Sequence, residues 1–349
     1  MEMAAGSLIE GPYFGDILAQ PDALRATLAG LGNKAAEIGA MGAALRADRT
    51  RRIVLTGMGA SLHALVPLEL RLIAAGLSPI RIETGELIHH ARGLLVPGTV
   101  LVAVSQSGRS AETVRLLEDT AGVTVIGVTN DSESPLATRP AVSVLTAAGR
   151  EATVSCKTDL ATLVALQWLG SVLLGEDPKL VIDAAAQAAD AVQTYLKSIH
   201  AQVAELQTKL AGIRQIYFAG RGASLAAAAT AGLITKEAVH FPSEGMSSAA
   251  FRHGPLEMAG PESFLMVYEG LENTAALNRG LVDDVLRAGG RAALCGPSGK
   301  GAFALPALSP LMMPLLEIVP AQLVTLALAA LGGREAGRFT HATKITATE

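Results

Sequence analysis

Aromatic residues are scarce in this chain: Phe, Trp and Tyr make up 3% of its 349 residues, although half of the sequence is hydrophobic. The apolar content therefore rests on Ala, Leu, Val and Ile, which suits helices packed on buried parallel strands. Cysteine is rarer still. Cys156 and Cys295 are the two present; they exclude a disulfide framework, and neither has metal-ligand spacing with a partner, so no metal is expected. The sequence also lacks a basic run of five or more residues, and its formal net charge is −4. That excludes the clustered electrostatic footprint of a nucleic-acid binder. An anionic ligand has to be held by local dipoles and hydroxyls. The mean hydropathy of +0.38 invites a membrane reading. However, the apolar stretch Leu160 to Gly175 is broken by Gln167 and Ser171 and is too short to span a bilayer. The opening MEMAAGSLIEGPYFGD has no positive region leading into an apolar one, as a secretory signal requires. A soluble, cytoplasmic protein with no membrane partner is expected.

What is present is an internal repeat. IVLTGMGASL starts at Ile53 and IYFAGRGASL at Ile216, 163 residues apart, a distance of about one domain. Each copy is a β-rich apolar run, a Gly-x-Gly-Ala-Ser turn and an Ala/Leu-rich helical segment. The strand candidates of the first copy continue at Ile80–Glu83, Thr99–Val104, Val123–Val128 and Ala141–Leu145, before a long buried helix at Leu160–Leu174. The second copy offers Gln215–Ala219, Phe264–Tyr268, Arg291–Cys295 and the run Leu311–Val319. Strands alternating with helices predict parallel sheets with right-handed crossovers. The expected fold is α/β, with two tandem doubly wound, flavodoxin-like domains: an entry segment and helix over 1–48, a first domain over 49–195 and a second over 196–349. Gly30 to Asp48 should be helical, and Asp177 to Leu210 a helical link between the halves.

In such folds ligands gather beyond the carboxyl ends of the strands. SQSGRS, Ser105 to Ser110, follows a strand and enters a helix. It brings three hydroxyls and several backbone N–H groups to one turn, a site for a phosphate dianion that needs no lysine. A Ser-rich turn that merely caps its helix is the plainer alternative. The turns GMGAS and GRGAS lack the third glycine of a dinucleotide fingerprint, and no acidic ribose partner is evident, so no NAD or other cofactor is expected. Lys236 to Met258 carries Glu237, His240, Glu244 and His253; a carboxylate with an imidazole suits proton transfer beside a carbonyl. In isolation, Glu237 would read as a surface charge, His253 as a turn residue and Lys344 in the tail HATKITATE as a solvated end.

Together these segments resemble the sugar isomerase (SIS) family, in particular the tandem-SIS isomerase half of glucosamine-6-phosphate synthase and its deaminase relatives. The resemblance runs from about Asp16 to Glu349, through DILAQPDAL, GMGAS, SQSGRS, VSCKT, the KE…E…RHGP block and TKITATE. It implies that Ser61, Ser105, Gln106, Ser107 and Ser110 hold a substrate phosphate, with Gly59 and Ala60 in the same turn, and that Ser155 contacts the sugar. It implies further that Glu237 moves a proton between C1 and C2, that His253 opens the ring from the partner subunit of a homodimer with shared active sites, and that Lys344 forms an imine with the open-chain sugar. Three departures stand out. The chain opens without a cysteine nucleophile, so glutamine is not expected as nitrogen source. The synthase lysine three residues before the catalytic glutamate is Ile234 here, and Arg109 replaces an acidic residue of the serine loop. The expected activity is an aldose–ketose isomerase or isomerising deaminase of an amino-sugar 6-phosphate. A fructosamine-6-phosphate-type deglycase and a non-catalytic sugar-phosphate sensor are the rivals.

Overall fold

The computed structural model describes residues 10–341 and 343–346. By its internal contacts the chain divides into two compact units. One comprises residues 22–150, 157–186 and 343–346; the other comprises residues 10–21, 151–156 and 187–341.

The first unit holds five strands, β1 (Ile53–Gly57), β2 (Pro79–Glu83), β3 (Val100–Val104), β4 (Thr124–Thr129) and β5 (Val142–Leu145). All pair parallel, in the order β2-β1-β3-β4-β5. Every residue of β1 and β3 is buried, as expected for central strands covered on both faces. On one face Val54, Leu101, Ala103 and Val125 pack with Leu87, Ile88 and Leu116 of the helices Thr84–His90 and Ala111–Leu116. The other face meets Ala60–Ala74, which packs in turn on the buried helix Lys157–Leu174. The two residues that interrupt that helix's apolar run, Gln167 and Ser171, have a purpose. Arg71 donates to the Gln167 carbonyl at 2.7 Å, its side-chain oxygen at 2.8 Å and the Ser171 hydroxyl at 2.9 Å. The polar groups are thus satisfied within the layer.

The second unit holds β6 (Gln215–Gly220), β7 (Ser243–Ser247), β8 (Ser263–Tyr268) and β9 (Arg291–Cys295), parallel in the order β7-β6-β8-β9. Ala219, Leu265 and Val267 pack against Phe251, Leu281 and Val285. The helix Leu225–Val239 lies close on β7: a Cβ on Gly245 would sit 2.0 Å from the Ala228 carbonyl oxygen, so only glycine fits. The doubly wound α/β class expected from the sequence is what the two sheets form.

Local readings differ from this in four places. Leu311–Val319, taken as a strand, instead enters the helix Met313–Leu331. Its apolar run carries no period that separates a buried helix from a buried strand. The strand that completes the second sheet is the polar SEGMS of β7, which has no apolar alternation to reveal it. Gly30–Asp48 is not one helix: Gln20–Gly30 ends in a turn before Ala35–Ala47. The expected link is likewise two helices, Pro178–Leu196 and Ile199–Leu210. Met313–Leu331 is long and apolar enough to cross a membrane, but 89% of its apolar window is buried, and Glu317 and Gln322 lie fully buried within it.

Candidate active site

The reversal of strand order between β1 and β3 opens a crevice at their carboxyl ends, where Gly57 pairs with Val104. Two turns close on it. After β1, Gly59 adopts φ +52°, a left-handed conformation that glycine takes at no cost. Its carbonyl accepts the N–H groups of Leu62 and His63 at 3.0 and 3.1 Å, starting the helix that carries Ser61.

After β3, the serine loop holds itself in shape. The Ser105 hydroxyl accepts the Gly108 N–H at 3.1 Å, and the Ser107 hydroxyl accepts the Arg109 N–H at 3.2 Å. The Gln106 carbonyl accepts the Asn130 N–H at 3.0 Å and the Thr129 hydroxyl at 3.2 Å. Gly108 sits at φ +61°, and a Cβ there would lie 2.2 Å from the Ser134 hydroxyl oxygen. The Ser110 and Thr113 hydroxyls bond at 2.7 Å. Among the described residues, the backbone N–H groups of Gln106, Ser107 and Ser110 meet no acceptor. Three unpaired donors with three serine hydroxyls are what an anion requires.

The resulting cavity measures about 130 Å³ and is lined by Met58, Ser61, Val104, Ser105, Gln106, Ser107, Ser110, Thr113, Lys344, Ile345 and Thr346. Of the sequence-predicted residues it gathers Ser61, Ser105, Gln106, Ser107, Ser110 and Lys344. Gly59 and Ala60 build the turn and do not line the cavity. Thr113, Ile345 and Thr346 were missed. Thr113 had a usable signal, since it stands three residues beyond Ser110 on the same helix face; the tail residues had none. Arg109 turns to Asp131, bonding its carboxylate at 2.7 Å. This bond, with the Glu133 N–H, holds Asp131 below its ordinary pKa.

Ser155, Glu237 and His253 belong to the other unit. Glu237, half-buried, stands in the last turn of Leu225–Val239. Ile234, where the synthase lysine would be, is fully buried in the same helix. Tyr13 lies in that unit too, its hydroxyl 3.3 Å from that of Thr325. Burial pushes the Tyr13 hydroxyl well above its usual range; Cys156, Glu151 and Glu237 raise it further, against the lowering effect of the Thr325 bond. It therefore stays protonated beside the carboxylates. Half-buried Ser155 precedes Cys156, whose N–H donates to buried Glu151 at 2.8 Å. His253 is exposed at the end of Ser248–Arg252, its N–H on the Ala250 carbonyl at 3.0 Å.

A cradle of this kind between the first and third strands of a parallel sheet coincides with a family match: residues 48–171 fit the SIS domain. The chain is 28% identical, over all of its length and 60% of the relative's, to glutamine–fructose-6-phosphate aminotransferase (isomerizing) of Pyrococcus horikoshii. It spans roughly half the length of the curated relatives it matches. Among solved structures, the C-terminal domain of glucosamine-fructose-6-phosphate aminotransferase from Francisella tularensis matches with a TM-score of 0.82 at 19% identity, over 94% of this chain and 98% of that one. Glucosamine-6-phosphate deaminase from Thermotoga maritima matches with a TM-score of 0.78 at 16% identity, over 97% and 100%. The segment that matches the SIS domain contains the whole serine loop and Ser61.

Proposed function

We propose that the chain is an isomerising deaminase of an amino-sugar 6-phosphate, turning glucosamine 6-phosphate into fructose 6-phosphate and ammonia. The observation that carries this reading is the cavity itself. Unpaired N–H groups and serine hydroxyls at one end form an anion cradle, and Lys344 lines the same cavity. A phosphate bound by the loop would orient the sugar, and binding energy at that remote group would act on the reacting end.

Glu237 is the base that carries the proton between C1 and C2. His253 opens the ring, reaching in from a second subunit of a homodimer, and Ser155 contacts the sugar. Lys344 attacks the C2 imine that the C1–C2 proton transfer leaves, releasing ammonia, and one water then hydrolyses the lysine imine to fructose 6-phosphate. The ring opener requires a group that both donates and accepts a proton near neutrality, as histidine does. The likeness to the P. horikoshii synthase and to the fold of the T. maritima deaminase supports the substrate class, and the second sheet supports a second SIS-like half.

The experiment is an ammonia-release assay across a panel of hexosamine 6-phosphates, with fructose 6-phosphate measured in parallel. Stoichiometric formation of both products from glucosamine 6-phosphate is expected. Tight phosphosugar binding without turnover of any panel member would refute the enzymatic reading and leave a sensor.

A further inference from the structure

The second sheet repeats the geometry of the first. Its order β7-β6-β8-β9 matches β2-β1-β3-β4, and the pairing of Ala219 with Val267 brings Gly220 and Tyr268 to the positions held by Gly57 and Val104. Ser224, closing the GRGAS turn, is thus the counterpart of Ser61. Glu269 and Gly270 are the counterparts of Ser105 and Gln106. By topology the crevice between β6 and β8 is a second anion site.

It is already filled from within. Glu317, on the helix Met313–Leu331, is fully buried, and its Oε1 accepts the Ser224 hydroxyl at 2.9 Å. The Gly270 N–H also stabilises its charged form. The serine that would meet a phosphate in this crevice therefore meets a carboxyl group of the chain, whose other oxygen is buried. A second carboxylate stands beside it: Glu269 is buried, and Arg279 and both donors of Ser298 hold it at 2.6–2.7 Å. Tyr268 and Cys295 complete the surroundings, both fully buried and both feeling the Glu317 charge.

We infer that Glu317 is an internal ligand that occupies the anion site of the second sheet, so that the chain takes one phosphorylated ligand and not two. The count of one rests on the proposed serine-loop site; the occupation of the second crevice does not.

Equilibrium dialysis with radiolabelled inorganic phosphate tests this. The wild-type chain should bind one phosphate, and Glu317→Ala, which frees Ser224, should bind two. Ser107→Ala/Ser110→Ala added to Glu317→Ala should return the count to one. A wild-type count of two, or a folded Glu317→Ala chain that gains none, overturns the inference. Should Glu317→Ala fail to fold, Ser224→Ala decides: a count unchanged from wild type supports a closed crevice, whereas a loss means that wild type binds phosphate there. A wild-type count of zero with a gain of one in Glu317→Ala would uphold Glu317 as internal ligand while refuting the serine-loop site.

Discussion

The Thr346 carbonyl accepts the Ala111 backbone N–H at 3.1 Å, which ties the C-terminal tail to the helix that the serine loop begins. One of the helix's orphan donors is thereby satisfied by the tail, and Lys344, two residues earlier, lines the cavity. Lys344→Ala should abolish a borohydride-trappable adduct with fructose 6-phosphate and change phosphosugar affinity little. Mass spectrometry of the reduced protein reads the first, calorimetry the second. Trapping that persists in the variant would assign the imine to another amine.

The serine loop should carry the affinity. Each hydrogen bond to a charged group contributes about 1.5–3 kcal/mol, so Ser107→Ala/Ser110→Ala should weaken fructose 6-phosphate binding by at least tenfold. Binding unchanged in the double variant would remove the phosphate from this loop.

Glu237→Gln should lower kcat by roughly 10²–10⁴, the usual worth of a positioned general base. Exchange of solvent deuterium into C1 or C2 of fructose 6-phosphate should slow in step, with affinity retained. If His253 serves a neighbouring site, mixing inactive Glu237→Gln and His253→Ala chains should restore part of the activity through hybrid dimers. No recovery after demonstrated subunit exchange would place each site within one chain.

Glu317 gives the protein a pH dependence of known sign. Burial pushes its carboxyl up from 4.5 to about 7, against the Ser224 and Gly270 hydrogen bonds. The folded state therefore holds this proton more tightly than the unfolded state. Its contribution is fully present below the unfolded pKa and is lost as pH rises through about 7. Between about pH 5 and about pH 8 the loss amounts to roughly 2–3 kcal/mol. Urea unfolding at those two values should show that slope in wild type and not in Glu317→Gln. Equal slopes would mean that the carboxyl titrates normally.

The sequence by itself determined the α/β class, most strand positions and the serine loop. Buried parallel strands read as near-continuous apolar runs, and a Gly-x-Gly-Ala-Ser or Ser-Gln-Ser-Gly turn acts through its own backbone. These are local properties, and local patterns report them. The repeat also marked Ser224 as the partner of Ser61. What it could not supply was contact at long range. Whether Leu311–Val319 became strand or helix depended on the layer that covers it. The polar β7 depended on Gly245 admitting a helix backbone that no other residue allows. Thr346 meeting Ala111, and Glu317 meeting Ser224 across 93 residues, required the sheets to be assembled first. Only the tertiary structure therefore decided that one crevice is open and its repeat is closed.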